Sequence, residues 1–285
     1  MEIKTVGVIG SGAMGSGIAQ ATALAGYHVI LYDLNDEILQ SAMARIVKSI
    51  DKGVERGKTE PEAAQKAKEN FALSTTLKAL RYADLIIEAA PEKMELKRDI
   101  FRELDEITPD HAILSSNTSS LSISAIAAST KRPEKVVGLH FFNPAHIMRL
   151  VEVIRGDLTD EATMKVSRQF AESLGKTAVI CKDTPAFIVN RVARPFYGEA
   201  FRLLGEQAAD AATIDTLMKS IGFRMGPFEL IDLIGCDVNL AVTQSVYDAY
   251  FQEPKYRPHP IQKRMVESGR LGRKTKHGFY DYRNK

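Results

Sequence analysis

Through the first half of the chain, short apolar runs alternate with longer stretches of helical period. "TVGVIG" reads as a buried strand. "GSGIAQATALAGY" reads as a helix of small residues ending at Gly26, and "HVILYD" as a second strand. From Asn35 to about Lys58 the apolar positions recur at helical spacing, with Asn35 or Asp36 placed to cap the helix. "ADLIIEAA" predicts another strand, followed by a helix from about Glu92 to Ile107, and "HAILSSNTSS" predicts a strand running into a polar loop. "KVVGLHFF" and "LVEVI" are two further apolar runs, and "KTAVIC" follows a helix that ends near Gly175. Strands alternating with helices predict an α/β domain built on a mostly parallel, doubly wound sheet of Rossmann type.

The pattern changes near Asp183. "DTPAFIVNRVARPFYGEAFRLL" opens with a capping Asp or Thr and a proline at an expected helix start. Helical periods and turn signals continue from there, with no convincing strand until "GFYDY". Residues 1–183 therefore read as one domain and 184–285 as a separate all-helical one. No internal repeat or low-complexity segment stands out.

Composition narrows the function classes. A net charge of +2 gives no electrostatic pointer to nucleic acid or a membrane surface. The start "MEIKTVGVIG" lacks the basic segment and long apolar stretch of a secretory signal, and no apolar run is long enough to span a bilayer. Cys181 and Cys236 make no disulfide framework and read as buried, reduced thiols, which fits a cytoplasmic protein. No His or Cys pair has zinc-ligand spacing, so no metal is expected.

Gly10-Ser11-Gly12-Ala13-Met14-Gly15 fits G-x-G-x-x-G, after a predicted strand and opening a helix. Asp33 ends the next strand, near the spacing of a ribose-binding acid. Gly10 permits the tight turn, Gly12 lets backbone approach a pyrophosphate, and Gly15 allows close packing of helix on strand. The helix N-terminus favours the anion. Asp33 accepts hydrogen bonds from ribose hydroxyls and repels a 2′-phosphate, so NAD is expected over NADP. The alternative is a tight turn without a ligand. The fingerprint also serves flavin enzymes and sensors, so it does not name a reaction.

His140 closes its apolar run, Asn143-Pro144 breaks the strand just after it, and Ser119 follows another strand end. Ligands of open α/β sheets bind beyond the carboxyl ends of strands. Glu152 lies among Leu150, Val151, Val153 and Ile154, where a buried carboxylate needs a partner. An imidazole would serve, and the pair would then fix the histidine tautomer and stabilise imidazolium. Each residue also has a plainer reading. His140 would be structural, Glu152 would face solvent on an edge strand, and Ser119 would cap a helix starting near Ser122. Lys48, Lys52 and Arg56 share one helix face, a site for adenosine phosphates or simply a solvated basic face. His146 reads as a loop residue with no evident partner.

Taken together, "GVIGSGAMGSGIAQ", "EAAPEKMELKRDIF", "SNTSSLSI", "GLHFFNPAHIMRLVEVI", "KDTPAFIVNR" and "MGPFELIDLIG" make the whole chain resemble the short-chain L-3-hydroxyacyl-CoA dehydrogenases. That family includes the 3-hydroxybutyryl-CoA dehydrogenases. The resemblance implies NAD-dependent interconversion of (S)-3-hydroxyacyl-CoA and 3-ketoacyl-CoA. It implies His140 as the catalytic base, Glu152 as its carboxylate partner, and Ser119 and Asn190 as residues holding the substrate oxygens. Glu92, Lys97 and Lys274 fall at cofactor contacts, and Ser49 and Arg56 at contacts to the coenzyme A substrate, for which Lys52, on the basic helix face, and Asn143 are further candidates. The family usually has a small residue, often Gly, after the threonine of "KT", where this chain has Lys276 and His277. The helical domain is expected to close over the substrate and to form a homodimer, with Phe228, Leu230 and Ile231 offered as its face or, alternatively, as internal core. Two rival readings remain open: a dehydrogenase of free 3-hydroxy acids with a lysine base, and a non-catalytic, crystallin-like NAD-binding relative. A third is a domain of a larger fatty-acid oxidation protein, although the strand near Met1 and the close at "GFYDYRNK" suggest a self-contained chain.

Overall fold

The computed structural model describes residues 2–283 and divides into two compact units, Met1–Thr184 and Pro185–Lys285. In the first unit the elements run β1 (Thr5–Ile9), α1 (Ala13–Leu24), β2 (His28–Tyr32), α2 (Asp36–Glu55), α3 (Pro61–Glu69), β3 (Phe71–Ser74) and β4 (Leu85–Glu88). They continue α4 (Met94–Ile107), β5 (Ile113–Ser116), α5 (Ile123–Ala127), β6 (Val136–Phe141), β7 (Leu150–Arg155), α6 (Glu161–Ser173) and β8 (Thr177–Lys182).

The strands form one eight-stranded sheet in the order β3-β2-β1-β4-β5-β6-β7-β8. β1 to β6 are parallel, β7 runs antiparallel to β6, and β8 runs parallel to β7. β4, β5 and β6 are buried throughout, which explains why their polar residues do not alternate with the apolar ones: a strand covered on both faces has no solvent side to mark. Val6, Val8, Leu31, Leu85, Ile87, Val137, Leu139, Val151 and Val153 meet Ile18, Leu39, Ile46 and Ile50 from the helices in the main core. Asn35 caps α2, its Oδ1 accepting from Glu37 N at 2.7 Å and Ile38 N at 3.3 Å.

The second unit is helical: α7 (Val189–Gly205), α8 (Ala211–Ser220), α9 (Pro227–Ile234), α10 (Cys236–Ala249) and α11 (Pro260–Glu267). Its core gathers Tyr197, Phe201, Ile214, Phe228, Ile231 and Met265. Phe228 and Ile231 are fully buried, so they are internal core and not an exposed partner face; Leu230 packs partly buried against them. "GFYDY" is not a strand. Asp232 instead accepts from Phe279 N and Tyr280 N at 3.0 and 2.9 Å, and Asp215 accepts from the Tyr280 hydroxyl at 2.6 Å.

Pro185 does not open α7. Ala186 and Phe187 take left-handed φ values of 64° and 52°, which keeps the chain from becoming helical before Val189. The expected cap Asp183 is engaged within the first unit, accepting from Ser122 Oγ at 2.8 Å and Ser124 N at 2.7 Å.

Candidate active site

The glycine loop joins β1 to α1. Gly10 has φ 91°, and a Cβ there would lie 2.8 Å from the Ala89 carbonyl oxygen. A Cβ on Gly15 would meet the Gly10 carbonyl oxygen at 1.8 Å, so α1 touches its own loop through a position only glycine can fill. Gly12 is the reverse case: a Cβ there meets nothing within 4 Å. It is also the N-cap of α1 and supplies no side-chain cap. Open space at an uncapped helix start suits a diphosphate, which backbone N–H groups and the helix dipole would hold. Asp33, at the end of β2, accepts from Ser11 N and Ser11 Oγ, both at 2.7 Å, and from Leu34 N at 2.8 Å. Its carboxylate is thus held beside the loop. Ala13 is exposed, and Met14 is half-buried against the main core.

His140 and Glu152 face each other across the antiparallel β6–β7 ladder. Directly opposed residues of such a ladder project to the same side of the sheet. His140 Nδ1 lies 2.7 Å from Glu152 Oε2, with 5% and 1% of the two residues exposed. A carboxylate accepts, so Nδ1 donates and Nε2 is the basic ring nitrogen. Phe142 packs on the imidazole at 4.5 Å between ring centres. Burial, aided by the charges of Glu152 and Asp183, pushes the nearby Cys181 thiol up to about 12, which leaves it inert as a nucleophile.

A second buried acid–base pair lies at the ends of β4 and β5. Glu88, fully buried, accepts from Lys97 Nζ at 2.6 Å, Ala90 N at 2.7 Å and Ser116 Oγ at 2.6 Å. Lys97 also reaches Ala90 O at 3.3 Å and Glu92 Oε2 at 3.4 Å. Glu92 Oε1 then accepts from Thr118 Oγ1 at 2.6 Å and from Ser119 N at 2.9 Å. Burial alone would raise the Glu92 carboxyl, but the Lys97 charge and these donors hold it below the usual glutamate range. The Ser119 loop is thereby moored to α4 through Glu92. Ser119 does not cap the neighbouring helix; Ser122 does, accepting from Ala125 N at 3.1 Å. Asn117 Oδ1 accepts from Phe141 N at 2.8 Å and ties the same loop to β6.

Residues 5–184 match the family model described as "3-hydroxyacyl-CoA dehydrogenase, NAD binding domain", and residues 187–282 match "3-hydroxyacyl-CoA dehydrogenase, C-terminal domain". The chain belongs to the 3-hydroxyacyl-CoA dehydrogenase family. It is 47% identical over 284 residues to the 3-hydroxyadipyl-CoA dehydrogenase of Escherichia coli (strain K12); the match covers 99% of this chain and spans only 60% of that longer protein. It is 45% identical to a 3-hydroxybutyryl-CoA dehydrogenase of Bradyrhizobium diazoefficiens, covering 99% of this chain and 96% of that one. The crystal structure of (S)-3-hydroxybutyryl-CoA dehydrogenase from Ralstonia eutropha superposes with a TM-score of 0.94 at 40% identity, covering 99% of both chains.

The remaining expected site residues of this family member fall as follows. Ser49 is half-buried on α2, while Lys48, Lys52 and Arg56 are exposed along the same helix, with Arg56 at its C-cap. His146 is not without a partner: its Nε2 lies 3.5 Å from Ser49 Oγ. Asn143 is exposed in the loop after β6. Asn190 and Lys274 belong to the second unit, where Asn190 O accepts from Arg194 Nε at 3.2 Å and Lys274 Nζ pairs with Asp237 Oδ2 at 2.5 Å. Lys276 has φ 57°, the left-handed region that favours glycine, which explains the small residue usual in the family at this point. Glu88 escaped the sequence reading, although its signal equals that of Glu152: one acid inside an apolar strand, "LIIE" beside "LVEVI".

Proposed function

We propose that this chain is an NAD-dependent dehydrogenase that interconverts (S)-3-hydroxyacyl-CoA and 3-ketoacyl-CoA, with short acyl chains such as 3-hydroxybutyryl as its substrates. The buried Nδ1–Oε2 contact of 2.7 Å between His140 and Glu152 carries this reading, because it supplies a base of fixed tautomer beside a cofactor fold. Bound NAD⁺ supplies the hydride acceptor for C3 of the substrate. The loop Gly10, Ser11, Gly12, Ala13, Met14 and Gly15 holds the diphosphate, and Asp33 holds the adenosine ribose and selects NAD over NADP. Glu92, Lys97, Ser119 and Lys274 complete the cofactor contacts, with Lys97 acting through Glu92, since it is only 1% exposed.

His140 Nε2 takes the proton of the 3-hydroxyl as the C3 hydride departs, and returns it to the ketone oxygen in the reverse direction. Glu152 stabilises the imidazolium so formed. Ser119 and Asn190 donate to the substrate oxygens and steady the developing charge. Ser49, Lys52, Arg56 and Asn143 receive the coenzyme A portion; the exposed basic row on α2 supports this assignment. The helical unit, residues 184–285 as read from the sequence, closes over the substrate and pairs two subunits. No helix among the described residues is long and apolar enough to cross a membrane. The free thiols Cys181 and Cys236 support a reducing, cytoplasmic setting.

The decisive assay follows NADH and NADPH oxidation with acetoacetyl-CoA, longer 3-ketoacyl-CoAs and free acetoacetate. The expected result is turnover of thioesters with NADH. Turnover of the free acid alone would favour the free-acid reading, and loss of all turnover the non-catalytic one. Preference for NADPH would overturn the role of Asp33. Gel filtration at low concentration is expected to give a dimer.

A further inference from the structure

Among its described residues, the second unit gives one buried cation no ion-pair partner. Arg194, on α7, is only 5% exposed. Its Nε donates to Asn190 O at 3.2 Å, and its Nη1 donates to Asn239 O at 3.1 Å and Thr243 Oγ1 at 2.9 Å. Among the described residues, no acceptor is bonded to Nη2 and no carboxylate forms an ion pair with the guanidinium. The Tyr197 ring, 4.9 Å away, offers its π face but no formal charge. Burial pulls Arg194 down to about 10, so it remains a cation at neutral pH. A buried cation of this kind calls for a counter-charge.

Arg194 borders a small cavity lying wholly within this unit, walled also by Tyr197, Thr243, Lys255, Arg257 and Gln262. About 10 Å³ is open to the centre of a water-sized particle, room for one small occupant. The exposed residues Lys255 and Arg257 also contribute to its lining, and no acidic residue does. The surrounding network is short of acceptors as well. Gln262 Nε2 donates to Asn239 Oδ1 at 2.6 Å, while the buried Nδ2 of Asn239 has no partner.

We propose that this cavity is an anion site that takes one monatomic anion of the chloride class beside Arg194. A carboxylate or phosphate brings more atoms than the space admits, and a water would fill the space without answering the charge. Because Arg194 also holds Asn190 O and bridges α7 to α10, the anion ties these helices together and links the stability of the second unit to halide.

Crystals of the whole protein soaked in bromide provide the direct test. An anomalous peak beside the Arg194 guanidinium is expected; a water there without anomalous signal, or bromide on exposed sites only, overturns the proposal. In solution, bromide replaces gluconate at constant ionic strength while Tm is followed. The wild type should gain on the order of several °C between bromide far below and far above its Kd, and Arg194→Met should stay flat. Equal slopes, or none in the wild type, overturn it. Should Arg194→Met fail to fold, Lys255→Gln takes its place. Its midpoint should move to higher bromide, and an unmoved midpoint counts against the site.

Discussion

Glu88 and Glu152 solve one problem in the same way. Each is a buried carboxylate on an apolar strand, Glu152 within β7 and Glu88 at the end of β4, and each is kept there by a basic partner within 2.7 Å. Their expected roles differ, and so do the expected effects of removing them. His140→Gln should lose about 10²- to 10⁴-fold in kcat while NADH still binds, measured by fluorescence titration beside steady-state turnover. Near-normal turnover would remove His140 from the mechanism. Glu152→Gln should lose turnover with its melting curve intact; if it only unfolds the protein, Glu152 is structural. Glu88→Gln strands the buried Lys97, and an unpaired buried charge of this kind costs about 3–5 kcal/mol. Denaturant titration should show that loss. Adding Lys97→Met should restore part of it, because the orphaned charge is then gone. Glu92 gives a pH dependence. Its folded-state value lies below the unfolded one, so its contribution is complete above the ordinary carboxylate range. It fades as pH falls through the folded value. Melts from neutral pH to about pH 3 should show the wild type losing more stability than Glu92→Gln does over the same range.

At the scale of elements, the glycine loop separates folding from binding. Gly12→Ala adds a methyl to open space, so its Tm should stay near that of the wild type while the Kd for NADH rises about tenfold or more. Gly15→Ala drives a methyl into the Gly10 carbonyl and should lower Tm as well as affinity. Lys276→Gly should raise stability by about 1 kcal/mol by relieving the left-handed backbone. Strands with dense apolar runs were legible from sequence, as was the Asn35 cap. α3 and β3 were not: α3 buries only Ala64 and Ala67, and β3 is a half-covered edge strand, so neither carries a strong periodic signal. The misplaced start of α7 has another cause. Asp183 has the chemistry of a cap but spends it on Ser122 and Ser124, a long-range partner that local pattern does not reveal. The buried state of Phe228 and Ile231 was hidden for a related reason, since helical period marks an apolar stripe without saying what covers it.

At the scale of the molecule, each unit has its own core. Residues 1–184 expressed alone should therefore fold and bind NADH, yet show no dehydrogenase turnover if Asn190 holds substrate as proposed. Calorimetry with NADH and the acetoacetyl-CoA assay check the two halves of that expectation. The expected His–Glu pair was legible as two residue types in the right sequence context. Their contact was not, because it depends on β7 reversing direction against β6 in a sheet that is otherwise laid down in parallel. Under the proposed function, that reversal makes proton handling a property of strand register. Backbone hydrogen bonds, which are indifferent to substrate, set the spacing of base and carboxylate, so the pair needs no reorganisation when a reaction begins. A slip of one residue in β7 would swing Glu152 to the opposite face of the sheet and disarm the histidine with every side chain still present.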